Sequence, residues 1–579
     1  MRRFAGWLAA LFGLLTFAFS GGNRFTPLNV SLWLLALGLG LLALRSLPGP
    51  WPIPRFRSVT RREALIFALV LAIGVAFRFV ALSENPRDMN SDQAEKLLDV
   101  FDVLGGRAYI FFERNTGREP WQFYWTLGLI KLFGLRPDFQ ALKLGTSLVS
   151  VLMLPGVYLL AREVFGRRAA AMAMLFAAVA SWGVIPARFG LRYPFAPAAT
   201  AWTMWLLLRG LKRGELRALG LAGLAMGIGL LGYTAFRGML LAVPVVLAAV
   251  ALWHWRRGDR AGARGVVIGG LAGLGLMLLV LAPLLRYGVE HPDLLLLRSA
   301  TRVAGIERPL EGSLIATLLD NLARVALMFH VVPDNVWVVG LPGQPALDGV
   351  LGVLLVVGCV LTVVHSQRRR DPLPALTLLA GALMLLPSAL ALAFPAENPS
   401  LVRTGGALPM LMTVCAAPWA AAPGSRREPA RLAPVAGALI AVAVIALNAQ
   451  RVFVDYPAAY CPRAQNASDV AAEFERFIAS GGRADNAFMV GYPHWIDYRA
   501  VGAWLGDPRG VAVYGTQVSL KDPATAPVTA DRALWALNVN DQVSLAALAA
   551  RYPAGALRQV PGSHCGGKDF LIFEFGAAR

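Results

Sequence analysis

Charge is scarce in this 579-residue sequence: Asp, Glu, Lys and Arg make up 16% of it, against about 25% in an ordinary soluble chain. Together with 56% hydrophobic residues and a mean hydropathy of +0.56, that scarcity excludes the string of soluble domains that length alone would suggest. Cysteine is nearly absent as well. Cys359, Cys415, Cys461 and Cys565 form no CxxC pair and no Cys/His cluster, which excludes the common structural zinc sites and thioredoxin-type chemistry. Glycine clusters such as Gly220, Gly223, Gly227 and Gly232 are not nucleotide loops, because they lie in apolar runs where small residues let helices pack closely. One sign of charge is in excess, 55 Lys and Arg against 35 Asp and Glu, a net +20. In a soluble protein that balance would point to nucleic acid.

A bilayer span takes about 20 apolar residues at about 1.5 Å each. Thirteen stretches qualify: 4–20, 28–46, 63–82, 139–161, 168–186, 194–211, 217–233, 237–256, 264–285, 347–366, 372–394, 403–421 and 432–450. The first follows Arg2 and Arg3 in the manner of a signal peptide, but a second span comes so soon after it that a retained helix is expected. Segment 120–135 is apolar and aromatic yet too short to span. It reads as an amphipathic helix at the outer interface, with Trp121, Tyr124 and Trp125 at headgroup level.

With the N-terminus inside, the cytoplasmic connections collect the basic runs: Arg45, Arg55, Arg57, Arg61 and Arg62; Arg162, Arg167 and Arg168; Arg209, Lys212, Arg213 and Arg217; Arg256, Arg257, Arg260 and Arg264; Arg368 to Arg370; Arg426, Arg427 and Arg431. This is the asymmetry expected of cytoplasmic loops at a plasma or inner membrane. It accounts for the net charge, so no nucleic-acid partner is needed.

The expected fold is an α-helical multi-pass membrane protein. Residues 1–62 supply two additional helices and a cytoplasmic loop, and 63–450 a catalytic region with long outer loops 83–138 and 286–346. The tail, 451–579, changes character. Ala487–Gly491, Val511–Gly515, Leu534–Val539 and Phe570–Phe575 read as strands, and Ala467–Ser480 and Ser544–Arg551 as helices, which makes a small extracytoplasmic α/β domain. Cys461 and Cys565 bracket it and suit a disulfide in an oxidising compartment. Asn466-Ala467-Ser468 fits a glycosylation acceptor pattern that is common by chance.

Polar residues concentrate in the outer loops, where chemistry is expected. Asn90 or Ser91 can cap a helix running to about Leu104 with Ala94, Leu98 and Phe101 on its apolar side. Asp92, Glu95, Asp99 and Asp102 then form an acidic stripe, and for Glu95, Asp99 and Asp102 a solvated face is expected. Arg78, near the end of its span, is expected to snorkel.

The company of Asp92 carries a resemblance. Asp92-Gln93 starts a helix in the first large outer loop, and Gly117-Arg118-Glu119-Pro120 leads into Trp121-Gln122-Phe123-Tyr124-Trp125. Further on come Leu341-Pro342-Gly343-Gln344-Pro345-Ala346-Leu347-Asp348 and Glu397-Asn398-Pro399, followed by Arg403 and Ala407-Leu408-Pro409. In this order the chain resembles the GT-C glycosyltransferases over about 63–420, specifically the glycosyltransferase family 39-like branch of protein O-mannosyltransferases and the lipid A aminoarabinose transferase. The resemblance implies a polyprenyl-phosphate sugar donor and transfer to an acceptor hydroxyl on protein, lipid or glycan. There are departures. Gln93 stands where the family has Glu, and Arg188-Phe189-Gly190-Leu191-Arg192-Tyr193 stands where relatives often place an acid, which removes the residues that would support a divalent metal.

The chemistry can also be argued from the residues. A departing lipid phosphate needs positive charge rather than a proton, and the attacking hydroxyl needs a base. Asp92 is the expected base. Arg114, Arg118, Arg188, Arg192, Arg237 and Arg403 are the candidate phosphate partners, Arg403 having a plain interfacial anchor as its other reading. Asp88, Glu95, Glu119, Tyr233, His330, Asp334, Asn335, Glu397 and Asn398 are candidates for substrate contact, with a structural role open for the His330, Asp334 and Asn335 group. Two other functions compete: a non-enzymatic transporter or flippase of envelope glycan precursors, and a scaffold whose tail binds a partner. The first usually shows internal repeats or broken helices near the midplane, and neither is evident in the sequence.

Overall fold

The structure is a computed structural model that describes residues 2–52, 60–310, 312–420, 432–506, 522–529 and 531–576. The chain divides into two compact units. The first comprises Met1–Val80, Ala108–Gln122 and Thr146–Tyr456, and the second Ala81–Arg107, Phe123–Gly145 and Pro457–Arg579. The first large loop is therefore split between them.

In chain order the helices begin with α1 (Arg2–Phe19), α2 (Pro27–Ala43), α3 (Arg61–Phe79), α4 (Ser91–Leu104), α5 (Trp121–Phe133) and α6 (Phe139–Phe165). Then come α7 (Arg167–Val179), α8 (Ser181–Arg188), α9 (Phe195–Arg213), α10 (Leu216–Leu230), α11 (Met239–Arg256) and α12 (Arg260–Glu290). They continue with α13 (Pro292–Val303), α14 (Leu314–Leu327), α15 (Gly349–Arg369), α16 (Leu373–Leu383), α17 (Leu386–Ala389), α18 (Leu408–Cys415) and α19 (Leu432–Gln450). The tail adds α20 (Tyr456–Tyr460), α21 (Ala467–Ala479), α22 (Tyr498–Leu505) and a last helix, Gln542–Arg551.

Among the described residues six helices are long and apolar enough to cross a membrane: Pro27–Ser46, Phe139–Phe165, Thr234–Arg256, Arg260–Glu290, Gly349–Arg369 and Pro434–Arg463. The pair α7 and α8, bent by 46°, makes a seventh if taken as one span. The stretches at 4–20, 217–233 and 372–394 form shorter apolar helices. The stretch at 403–421 departs most from expectation. Only Leu408–Cys415 is α-helical, and every residue of it is buried. Its apolar residues are packed inside the protein, and Pro409 falls in the helix's first turn, where proline is tolerated.

Within the first unit, close packing follows from the glycines. A Cβ on Gly223 of α10 would lie 1.9 Å from the Gly273 carbonyl oxygen of α12, so these helices meet backbone to backbone. A polar device holds the break between α7 and α8. Arg78, fully buried rather than snorkelling, donates to the Ala178 carbonyl at 2.7 Å, the Ala177 carbonyl at 3.2 Å and Ser150 Oγ at 2.8 Å. It thereby satisfies acceptors that the end of α7 leaves open. In return, Arg188 of α8 donates to the Phe77 and Val80 carbonyls at the end of α3, at 3.0 and 2.9 Å. At the start of α8, Asn448 Oδ1 accepts the Ser181 amide at 2.8 Å, and Asn448 Nδ2 donates to Asp348 at 2.8 Å.

The second unit is built on a four-stranded sheet: β1 (Ala487–Met489), β2 (Ala533–Asn538), β3 (Ala556–Val560) and β4 (Phe570–Phe575), in the order β1-β2-β4-β3. β1 and β2 run parallel and the other pairs antiparallel, with Trp535 opposite Phe573. Phe488, Trp535, Leu537, Leu548 and Phe573 form the core, each such side chain contributing about 1.5–3 kcal/mol on burial. The strand expected at Val511–Gly515 lies outside the described residues. β3 and α22 have no counterpart in the sequence reading; β3 is an edge strand with its residues largely exposed, so it shows no apolar run. Cys461 and Cys565 form a disulfide. The Asn466 amide donates to the Lys568 carbonyl at 2.6 Å.

α4 begins with a reciprocal cap: Asn90 Oδ1 accepts the Asp92 amide, and Gln93 Oε1 accepts the Asn90 amide, both at 3.0 Å. Either Glu or Gln performs this at the third position of a helix, which gives Gln93 a local reason. The acidic stripe of α4 is not a solvated face. Asp99 and Asp102 are buried, Asp102 accepts from Arg107 at 3.2 Å, and α22 packs on α4.

Candidate active site

The first unit holds a cavity of about 350 Å³ with two chemically distinct linings. Leu241, Leu383, Leu386, Pro387 and Leu390 make it apolar; Arg237, Arg298, Arg302 and Arg403 bring guanidiniums to it, with Tyr233, Thr234 and Ser299. Arg298, Ser299 and Arg302 come from α13, whose four-residue spacing sets the two arginines on one face. Arg237 comes from the short turn Thr234–Gly238 that precedes α11.

Two carboxylates orient these cations. Glu119, almost fully buried, accepts from Thr234 Oγ1 at 2.9 Å and from Arg237 Nη2 at 3.3 Å, and lies 3.4 Å from Arg192 Nη1. Burial alone would raise its pKa, but the Arg192 and Arg237 guanidiniums outweigh it and hold the carboxyl below its ordinary value. Burial also draws Arg192 down to about 10, still protonated at neutral pH. Glu397 accepts from Arg403 Nη2, in a short ion pair, and from Arg302 Nη1 at 3.4 Å. Arg237 Nη1 donates to Ser299 Oγ at 3.0 Å, and Arg298 reaches the Asn115 carbonyl at 3.3 Å.

The sum of charges is lopsided. Arg192 sits in the field of Arg298 and Arg118, and Arg302 in that of Arg403 and Arg298. Six guanidiniums, those of Arg118, Arg192, Arg237, Arg298, Arg302 and Arg403, thus face four carboxylates, Glu119, Glu307, Glu397 and Asp334. Arg403 Nη1 is buried without a hydrogen-bond partner among the described residues. An anion entering the cavity would meet an uncompensated positive field and at least one waiting donor.

Of the candidates named from the sequence, Tyr233, Arg237 and Arg403 line the cavity, and Glu119, Arg192 and Glu397 hold its arginines. Arg118 is fully buried and contributes to the field on Arg192. Others are engaged elsewhere. Arg188 caps α3 and is no cavity residue. Asp334, buried and raised to about 6 by that burial, accepts the Leu401 and Val336 amides at 2.7 and 2.9 Å. Asn398 donates to Asn321 and accepts from Ser388 at 2.6 Å. His330 pairs with the Gly352 carbonyl at 3.0 Å. Asn335 and Arg114 are exposed. Arg298 and Arg302 are absent from the sequence reading. Their signal was present in the i, i+4 arginines of an outer-loop amphipathic helix.

In the second unit, Asp92 lies in the first turn of α4, its side chain 47% exposed and 3.4 Å from Lys96 Nζ. Glu95 pairs with Arg499 at 3.0 Å. Asp88, raised to about 6 by burial, accepts the Ser468 amide at 2.9 Å and serves as an internal tie. Among the described residues no group of three His, Cys, Asp or Glu side chains is arranged to hold a metal ion.

Residues 118–286 match the family described as dolichyl-phosphate-mannose-protein mannosyltransferase. No curated protein matches the chain. Among solved structures, ArnT from Cupriavidus metallidurans bound to undecaprenyl phosphate is 15% identical, with a TM-score of 0.50 over 88% of this chain and 97% of that one. The oligosaccharyltransferase AglB from Archaeoglobus fulgidus, in complex with an inhibitory peptide and a dolichol-phosphate, is 14% identical with a TM-score of 0.46 over 79% of this chain. This chain spans 64% of that protein's length. The family match is confined to residues 118–286, and the likeness to ArnT, at 15% identity, is one of fold.

Proposed function

We propose that the protein is an integral membrane glycosyltransferase that moves a sugar from a polyprenyl-phosphate donor to an acceptor hydroxyl on the extracytoplasmic side. The observation that carries this reading is the cavity in which an arginine cluster meets leucines. A lipid phosphate has the matching halves, and a lipid of that class is what the ArnT structure holds. In this reading the N-terminus is cytoplasmic and the tail stands outside.

The reaction is a single displacement with inversion. The acceptor oxygen bonds to the anomeric carbon as the bond from that carbon to the phosphate oxygen breaks, and the leaving phosphate takes both electrons. Arg237, Arg298, Arg302 and Arg403 stabilise the charge that grows on it. Asp92 takes the acceptor's proton. Its carboxylate is half-exposed in the first turn of α4, within reach of an incoming hydroxyl, with Lys96 Nζ 3.4 Å away.

The test has two arms. A deletion strain should lack one glycan or glycolipid species found in the wild type by mass spectrometry. Purified Asp92→Asn should fold and lose at least about 100-fold in transfer rate; wild-type transfer by that variant would remove the base assignment. A flippase would also use a lipid-phosphate cavity, and lipid movement in proteoliposomes without sugar transfer would favour it.

A further inference from the structure

The loop that leaves β1 is unusual in composition. β1 ends at Met489 and α22 begins at Tyr498, and the connection reads Val490-Gly491-Tyr492-Pro493-His494-Trp495-Ile496-Asp497. Val490 and Ile496 are buried, whereas Tyr492 and Trp495 are half-buried, His494 is exposed and Tyr498 is 37% exposed. The tail's core has taken in Phe488 and Trp535, yet this loop keeps its rings at the surface. His494 has φ +56°, in the left-handed region that histidine enters more readily than most side chains. The loop springs from the carboxyl end of a parallel strand pair, the end at which open α/β sheets bind ligands.

Its position relative to Asp92 is fixed within the same unit. The Ser91 hydroxyl hydrogen-bonds the Asp497 carboxylate. Arg499 joins that carboxylate to Glu95, at 2.6 and 3.0 Å. These ties fall one residue before and three residues after Asp92. The loop is therefore fastened to the helical turn that carries the base.

The chemistry on offer is aromatic faces interleaved with neutral donors. Asp497 and Arg499 neutralise each other, so the loop presents no excess charge to attract a phosphate or an acidic peptide. Ring faces that accept the C–H surface of a pyranose, beside tyrosine hydroxyls and an imidazole that bond to sugar hydroxyls, are suited to an uncharged saccharide. We propose that residues 492–498 are the acceptor-recognition surface, and that the acceptor presents a saccharide beside Asp92. The word acceptor rests on the transfer reaction proposed above; the binding of a saccharide does not.

The test uses full-length protein in lipid nanodiscs and an array of short neutral oligosaccharides of mannose, glucose, galactose, arabinose and N-acetylglucosamine. The expected result is that wild type and Asp92→Asn bind the same saccharide. Tyr498→Ala and Trp495→Ala should each bind it about tenfold more weakly, the loss of one ring contact. Trp495→Phe, which keeps a ring, should bind within about threefold, and retention of the Cys461–Cys565 bridge in every variant shows that the tail is folded. No binding by the wild type, or unchanged binding by both alanine variants, or selective binding of peptides instead, overturns the proposal. None of those outcomes touches the phosphate cavity. Conversely, wild-type transfer by Asp92→Asn removes the base assignment and leaves saccharide binding standing.

Discussion

Arg403→Gln and Glu397→Gln act on one ion pair and are expected to move lipid-phosphate affinity in opposite directions. A guanidinium and a phosphate about 4 Å apart attract by about 4 kcal/mol at an effective dielectric of about 20. Two costs reduce this: stripping water from the phosphate, and loosening Arg403 from Glu397. With the Arg403 side chain only 17% exposed, solvent screening is modest, and the net loss on Arg403→Gln is about 2 kcal/mol, within the range for hydrogen bonds to charged groups. That is about 30-fold in Kd. Glu397→Gln frees Arg403 and, at 3.4 Å, Arg302, so binding should tighten by about threefold to tenfold. Titration of purified protein with undecaprenyl phosphate, followed by native mass spectrometry at low and moderate salt, measures both. If Glu397→Gln weakened binding as much as Arg403→Gln, the pair would be a scaffold element and the cavity would not be the anion site.

Arg188→Met should lower the thermal midpoint without changing undecaprenyl phosphate affinity, because it strands the Phe77 and Val80 carbonyls at about 1–3 kcal/mol each; a changed affinity would return Arg188 to the site. Asp88 has its folded pKa raised from 3.8 to about 6 by burial, so its contribution to tail stability is full below about pH 4 and lost as the pH rises through 6. Asp88→Asn should flatten the tail's urea midpoint between pH 4 and 7 and raise it at pH 8; equal pH slopes in the two proteins would count against the burial argument. Cys461→Ser combined with Cys565→Ser opens a loop of 104 residues and should cost up to about 4–5 kcal/mol of tail stability, seen as faster proteolysis of the tail.

The helices were legible because apolar runs of span length have few other readings, and the tail's β1, β2 and β4 because short apolar runs bounded by turn residues mark strands. What was not legible depended on partners distant in sequence. Arg78 and Arg188 both look like free cations near span ends, yet each is consumed by carbonyls that a helix end or break exposes, and breaks are not written in hydropathy. Asp99 and Asp102 look solvated, yet both are buried, on a helix against which α22, some 400 positions later, packs. Within the site, Glu119 and Arg403 stood in recognisable motifs. Arg298 and Arg302 sat in a loop helix whose amphipathic face gains meaning only when the cavity opposite it is known. Gln93 shows the reverse case: a departure from the resembled pattern that leaves the helix cap intact, because Gln and Glu serve it equally.

The reciprocal arginines also constrain how the chain is made. Arg78 leaves the ribosome 99 and 100 residues ahead of the carbonyls of Ala177 and Ala178 that receive it, and Arg188 follows its own acceptors, Phe77 and Val80, by 111 and 108. Arg78 lies in the last turn of α3, where a long side chain can reach the interface until it has other partners. During synthesis, then, α3 bears a guanidinium whose later acceptors do not yet exist, and α8 arrives with one whose acceptors are already waiting. Burial of Arg78 against the Ala177 and Ala178 carbonyls must therefore follow the emergence of α7, whereas Arg188 meets its acceptors as soon as α8 is made.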